Sequence, residues 1–406
     1  MAASTEPATR SRTPLSSILP PLIFGTGTFN VQYHKDPYSL NTTQLIQHAL
    51  TQGIRAFDTS PYYGPSESLL GDALAHPSVK PHFPRQHYYL LTKAGRLAAN
   101  TFDYSPDWIR QSVARSLQRL HTSYVDVVYC HDVEYVSAAE VITAVRELRR
   151  LRDEEGTVHY VGISGYPLST LCALAERILH ETGEAVDAVQ SYANMTLQNT
   201  RLVGEGVERL RAAGVDVVPS ASVLGHGLLR ADGLPENTLA WHPAPVGLRE
   251  AVRRAAAFCA ERDERLEAVA IRYAVETWMV EGSVVGSLGD PAAGVEWEAD
   301  TKVLNGGRKL GVTVMGVSTV AELEHTLAQW RSVLDGLENG QKVASQAGRW
   351  KRSHEWSVYR RKAVQMLAEV VKEELGEWFN YVWESPPSGF VNQLGKSDGL
   401  KFSQQQ

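Results

Sequence analysis

Eight times from Leu22 onward, a short run of consecutive apolar and β-branched residues gives way to a longer segment of helical period. The runs are Leu22–Phe29, Ala56–Ser60, Tyr88–Lys93, Val125–Cys130, Tyr160–Ser164, Val186–Ser191, Val215–Pro219 and Val312–Gly316. Apolar side chains at consecutive positions suit strands buried on both faces, as in a parallel sheet. Between the runs, Pro106–Leu120 places Ile109, Val113, Leu117 and Leu120 on one stripe. Ser137–Glu155 opens with Ser137 and then Glu140, the spacing of a capping box. Thr200–Ala213 ends at Gly214, a C′ glycine. Further helices are predicted at Thr42–Gln52, Ser66–Ala75, Leu168–Glu181, Leu248–Arg262, Arg265–Thr277 and Val320–Val333.

This rhythm admits a (β/α)8 TIM barrel or a doubly wound open sheet. The open sheet announces itself by a glycine fingerprint after its first strand. Here Gly25-Thr26-Gly27-Thr28-Phe29 lacks the third glycine and a helix start, so the barrel is the expected α/β fold. In a barrel, catalytic residues sit just past the C-terminal ends of the strands. At the end of the second run or just past it stand Asp58, Tyr62 and Tyr63, at the end of the third Lys93, and after the fourth His131 and Asp132. Neighbouring strands thus bring ionisable groups to one rim, which suits proton transfer at a carbonyl or an alcohol. A free tyrosine titrates near about 10, and an adjacent ammonium favours its phenolate. Tyr63 is therefore read as the acid/base, Lys93 as its tuner, Asp58 as the partner of Lys93, and His131 as a neutral donor that orients substrate. Such a set needs a redox cofactor for hydride transfer, and a nicotinamide is expected.

The Asp58–Tyr63 spacing, followed by Lys93 and His131 after the next two strands, resembles the aldo-keto reductase superfamily, a TIM barrel that uses NAD(P) with an Asp-Tyr-Lys-His tetrad. The likeness runs from about Leu22 to Val333, through Gly27-Thr28-Phe29, Phe57–Gly64, Thr92-Lys93, Val161–Gly165, Gln190–Asn199, Leu224–Leu229 and Gly316–Leu327. It implies that Ser164 and Gln190 hold the nicotinamide carboxamide, with Gly27 and Thr28 also at the cofactor. It implies that the loop Ser222–Leu229, with Leu224, Gly225 and Gly227, covers the pyrophosphate. Gly316, Ser318 and Thr319 match the adenosine-phosphate site, where helix N–H groups favour an anion. Departures are Gly165 where many relatives have Asn, Ala221 where many stack an aromatic ring, and His325-Thr326 near the adenine. Ser318 stands where NADP-preferring relatives carry Lys or Arg, which implies NAD, with NADP as the alternative if Arg308 or Lys309 supplies charge.

Gly162–Leu168, Cys130–Glu134, Gln190–Asn194 and the late Trp383–Pro387 are similar to the L-galactose and D-arabinose 1-dehydrogenase subgroup. That subgroup oxidises the anomeric hydroxyl of a cyclic aldose to a lactone, upstream of ascorbate-type compounds. Asp132 is then either an acceptor for sugar hydroxyls or a loop cap, Phe29 and Tyr62 either pocket walls or ordinary packing, and Trp241 a ring that could fold over substrate. The alternatives are a general aldehyde or ketone reductase, a pyridoxal-type dehydrogenase, and a regulatory barrel subunit without catalysis.

Composition narrows the partners. Lys and Arg number 40 against 46 Asp and Glu, a net charge of −6, so no basic footprint for nucleic acid is expected. Three cysteines in 406 residues make no disulfide scaffold, and 13 histidines without ligand spacing predict no metal site. No stretch is apolar enough for a membrane span or signal peptide, so a cytoplasmic monomer or homodimer is expected. A barrel needs about 250 residues. The surplus is assigned to a disordered tail over 1–20, an insertion loop over 282–310 within a barrel of 21–340, and a C-terminal extension over 341–406. That extension, with a helix over Trp356–Leu375, is expected to pack on the barrel.

Overall fold

A computed structural model describes residues 12–291, 309–337 and 354–395. Eight parallel strands close into a barrel. They are β1 (Leu22–Gly25), β2 (Ala56–Asp58), β3 (Tyr89–Ala94), β6 (Val125–His131), β7 (Val158–Gly165), β8 (Ala188–Tyr192), β9 (Ser220–Ala221) and β10 (Thr313–Gly316). A two-stranded hairpin, β4 (Arg96–Ala98) and β5 (Thr101–Phe102), rises from the end of β3. The helices are α1 (Thr42–Thr51), α2 (Ser66–Ala75), α3 (Pro106–Arg119), α4 (Ala138–Arg150), α5 (Leu168–Thr182), α6 (Val207–Ala212), α7 (Glu236–Leu239), α8 (Val246–Ala260), α9 (Leu266–Glu281), α10 (Val320–Asp335) and α11 (His354–Leu375). The strands bury both faces, one against the helices and one inside the barrel around Ile23, Leu91, Val127, Tyr129 and Val314. Ser137 and Glu140 form the expected capping box at α4.

Three elements differ from expectation for identifiable reasons. The seventh strand pairs at Ser220–Ala221, with only a single bridge from Val217 to Ala188. Pro219 between them has no N–H and serves the ladder only as acceptor, for Ser191 N–H at 3.0 Å. The segment Thr200–Ala213 winds as a π-helix over Leu202–Gly206 before α6, where Gly204 and Gly206 give weak α-helical propensity. The first strand stops at Gly25, and the chain turns so that Phe29 N–H bonds Thr26 O at 2.9 Å.

The expected tail is also corrected over residues 12–20. Leu15 and Leu19 are fully buried in the N-terminal mouth of the barrel. Arg12 lies over the Tyr160 ring at 4.7 Å, pairs with Asp187 and donates to His159 O at 2.8 Å. Apolar side chains that plug an open end bury too much surface to stay disordered. Residues 1–11 lie outside the described residues, as do 292–308 of the expected insertion. The stem of that insertion is closed, because Ser287 and Leu310 exchange two backbone hydrogen bonds of 2.8 Å.

Beyond the barrel, α11 packs Val364, Ala368, Val371 and Leu375 against Leu248, Ala251 and Ala255 of α8. Arg272, fully buried on α9, donates to Ser357 O of α11 at 3.2 Å. The chain after α11 then crosses the C-terminal mouth of the barrel, where Trp383 stacks on Tyr166 at 4.7 Å. Among the described residues no helix is long and apolar enough to cross a membrane.

Candidate active site

The barrel register builds the site. His131 on β6 aligns with Ser164 on β7, and Ser164 aligns with Gln190 on β8. Asp58 closes β2 beside Gly25, and Gly25 aligns with Gly316. Strands of fixed stagger therefore deliver these side chains to one rim. Lys93, buried, donates to Asp58 Oδ1 at 2.8 Å, to Oδ2 at 3.0 Å and to Thr59 O at 2.9 Å. Three donors meet three acceptors, which a buried ammonium requires. Burial pushes the Asp58 carboxyl above its usual range against the pull of Lys93. The Tyr63 ring lies 4.9 Å from Lys93 Nζ and edge-on to His131 at 5.7 Å.

Burial, then the charges of Asp58 and Asp132, hold the Tyr63 hydroxyl well above its ordinary value, and Arg96 opposes this only in part. Lys93 meanwhile bonds both carboxylate oxygens of Asp58, and with its titration raised Tyr63 rests as a phenol.

His131 is neutral, because burial lowers its pKa to about 3. Ser60 Oγ accepts from Tyr62 N–H at 3.1 Å and hydrogen-bonds His131 Nδ1 at 3.1 Å. When Ser60 is the donor of that second bond, the ring proton sits on Nε2. His131 Nε2 lies 3.6 Å from Asp132 Oδ2.

Asp132 makes no cap for the turn that follows it, which removes the loop-cap reading. It is ion-paired with Arg96, whose Nη2 also donates to the Tyr62 hydroxyl at 3.1 Å. Burial opposes ionisation of Asp132, but the Arg96 guanidinium paired with it holds its carboxyl below the ordinary range. Glu134, two residues on, behaves oppositely. Burial and Asp132 push it up to about 8, and Oε1 accepts from Tyr166 N–H at 3.1 Å and Ser385 Oγ at 3.0 Å. This accounts for Gly165, since a Cβ there would lie 2.4 Å from Glu134 Oε2.

These groups open onto one cavity of about 390 Å³. Asp58, Tyr62, Tyr63, Lys93, His131 and Asp132 form one part of its wall, and Gly27, Thr28, Ser164 and Gln190 another. Ser222, Leu224, Gly227, Gly316 and Ser318 extend it into a cleft. Three expected residues are not on the lining. Phe29 is fully buried against Phe24 at 6.1 Å, a core ring and not a pocket wall, because the turn after β1 directs it under the rim. Thr319 caps α10 by accepting from Glu322 N–H at 3.1 Å. Gly225, with φ of 57°, offers its carbonyl to His242 Nε2 at 2.8 Å.

The cavity also holds Arg96, Tyr192, His226 and Glu322, which sequence reasoning missed, and Trp241, which it raised. Trp241 stands edge-on to Tyr33 at 6.2 Å and to His226 at 5.7 Å. Arg96 carried one legible signal, its place directly after Gly95, whose φ of 103° turns the chain off β3. The residues fit a nicotinamide. Gln190 Oε1 is buried without a hydrogen-bond partner and is free to accept from a carboxamide. At the far end Ser318 N–H donates to Glu322 Oε2 at 2.8 Å. Lys309 pairs with Asp216 at 3.4 Å, at the opposite end of the barrel, and does not serve that site. Arg308 lies outside the described residues. Among the described residues no group of His, Cys, Asp or Glu is placed to hold a metal ion.

Residues 21–341 match the Aldo/keto reductase family. The chain is 36% identical over 367 residues to the D-arabinose 1-dehydrogenase of Saccharomyces cerevisiae, covering 90% of this chain and 93% of that protein. It is 34% identical over 244 residues to the L-galactose dehydrogenase of Arabidopsis thaliana, covering 59% and 72%. It is 28% identical over 272 residues to the D-threo-aldose 1-dehydrogenase of a Pseudomonas species, covering 60% and 78%.

Proposed function

Because the chain belongs to the aldo/keto reductase family and is an oxidoreductase, we propose that it oxidises the C1 hydroxyl of a cyclic aldose such as D-arabinose or L-galactose to the lactone, with NAD⁺ as oxidant. The carrying observation is that the tetrad Asp58, Tyr63, Lys93 and His131 shares one cavity with the buried Asp132–Arg96 ion pair. The names of the relatives at 36% and 34% identity point the same way.

The C1 hydroxyl sits between Tyr63 and His131. His131 Nε2–H donates to its oxygen and fixes the direction of its proton. Tyr63, once deprotonated to the phenolate, takes that proton as the C1–H bond breaks, with the Lys93–Asp58 ion pair beside it. Asp132 and Arg96 bind the other ring hydroxyls, as acceptor and donor of charge-assisted hydrogen bonds. When bound, the nicotinamide supplies the acceptor for the C1 hydride, with Ser164 and Gln190 holding its carboxamide. Glu322 favours NAD over NADP. Its carboxylate already sits on Ser318 N–H at the start of α10, where a 2′-phosphate would meet a like charge.

The raised pKa of Tyr63 supports a second reading, a carbonyl reductase in which Tyr63 is the acid. The two separate in one experiment. Purified protein mixed with NAD⁺ and free aldoses is expected to gain absorbance at 340 nm. Silence with every aldose, together with NADPH-dependent turnover of simple aldehydes, overturns the first reading and supports the second.

A further inference from the structure

We propose that Asn392, near the end of the described chain, is a positioning residue of the sugar site that acts through Arg96; this rests on the aldose reading above. The starting point is the weakness of the element that carries Arg96. The β4–β5 hairpin has strands of three and two residues, too few to hold their own geometry in water. Yet the Arg96 guanidinium is held on several sides. It pairs with Asp132, bonds the Tyr62 hydroxyl at 3.1 Å, and lies 3.8 Å from the Tyr62 ring and 5.4 Å from the Phe102 ring.

The hairpin register puts Phe102 directly opposite Arg96. Phe102 is the residue that the C-terminal segment grips. Its N–H donates to Asn392 Oδ1 at 3.0 Å, and Asn392 Nδ2 donates to Phe102 O at 2.8 Å. One side-chain amide thus completes both backbone groups of Phe102, as a neighbouring strand would. Gln393 N–H adds a bond to Asn100 O at 2.8 Å. Phe390 presses edge-on to Phe102 at 6.0 Å and to Tyr135 at 4.8 Å, while Phe102 stacks on Tyr135 at 4.7 Å. The segment therefore braces the hairpin through side-chain bonds, and fixes the cross-strand partner of the arginine that pairs with Asp132. Nothing in the segment after Ser385 needs to touch substrate for this effect.

The test is a double-mutant cycle on the full chain with NAD⁺ and the aldose that it turns over. Asn392→Ala is expected to raise KM for the sugar by about 5–10-fold, the size of one or two lost hydrogen bonds, with kcat and NAD⁺ affinity within about two-fold. In an Arg96→Ala background the same change is expected to add less than about two-fold, because coupled residues are not additive. Equal effects in both backgrounds, or a lower melting temperature with no change in KM, overturn the proposal. Should wild type turn over no aldose, the aldose reading fails, and amide exchange still judges the clamp. Phe102 N–H is expected to lose protection in Asn392→Ala, and unchanged protection rejects it.

Discussion

The two mouths of the barrel carry similar residues in opposite conditions. At the N-terminal mouth, Asp126 accepts from Leu90 N–H at 2.8 Å and from Arg85 at 2.6 Å, and Asp187 accepts from Val161 N–H at 2.8 Å and pairs with Arg12. Leu15 and Leu19 close the opening between them. At the C-terminal mouth the chain leaves a cavity, and capacity remains on its walls. Gln190 Oε1 has no partner, His131 lines the cavity as a neutral ring, and Tyr63 is a phenol held far from its usual titration. Asp58 is as fully paired as Asp126 is, so pairing alone does not separate chemistry from structure. What separates them is whether the paired charge adjoins groups still able to bond something else.

That contrast can be broken at either end. The largest effect is expected from Tyr63→Phe, which removes the proton acceptor and should cost about 10²–10⁴-fold in kcat/KM while leaving the melting temperature in place. A variant that keeps its activity rejects the mechanism. In wild type, the phenolate is the base for oxidation, so raising the pH populates it. Oxidation should rise with pH on the alkaline side and carbonyl reduction should fall, and His131, with a pKa of about 3, should add no limb between pH 5 and 7. A pH profile with the opposite slopes contradicts the assignment.

Asp132→Asn should raise KM for the sugar by about 10-fold or more, since hydrogen bonds to charged groups are worth about 1.5–3 kcal/mol. Initial rates over a range of sugar concentrations give this directly. Glu322→Gln should improve the use of NADP relative to NAD by about 2–5-fold, the scale of a single charge at a helix N-terminus. Comparing kcat/KM for the two cofactors checks it. At the opposite mouth, Arg12→Ala should lower stability by about 1 kcal/mol, because that pair is partly exposed, and should leave steady-state kinetics unchanged. A loss of turnover there would erase the distinction between the two ends.

Much of this was legible because buried parallel strands write themselves as consecutive apolar residues. The barrel, and the placing of Asp58, Lys93 and His131 at the C-terminal ends of their strands, followed from that pattern. The misses share a cause, which is that turns decide where a side chain points. Phe29 follows Gly27-Thr28 in a stretch that resembles a cofactor loop, yet the turn sends it into the core. Arg96 and Glu322 bear on the cavity through a hairpin and a helix cap, and only their placement in space reveals it. Gly165 looked like a departure with no rationale until Glu134, thirty-odd residues away in sequence, was seen to fill the space of its missing side chain.

The most direct test identifies the product. With D-arabinose or L-galactose and NAD⁺, the account predicts one lactone formed per NADH, seen by nuclear magnetic resonance of the sugar C1 alongside absorbance at 340 nm. NADH without a lactone, or no NADH with any aldose while aldehydes are reduced, contradicts it.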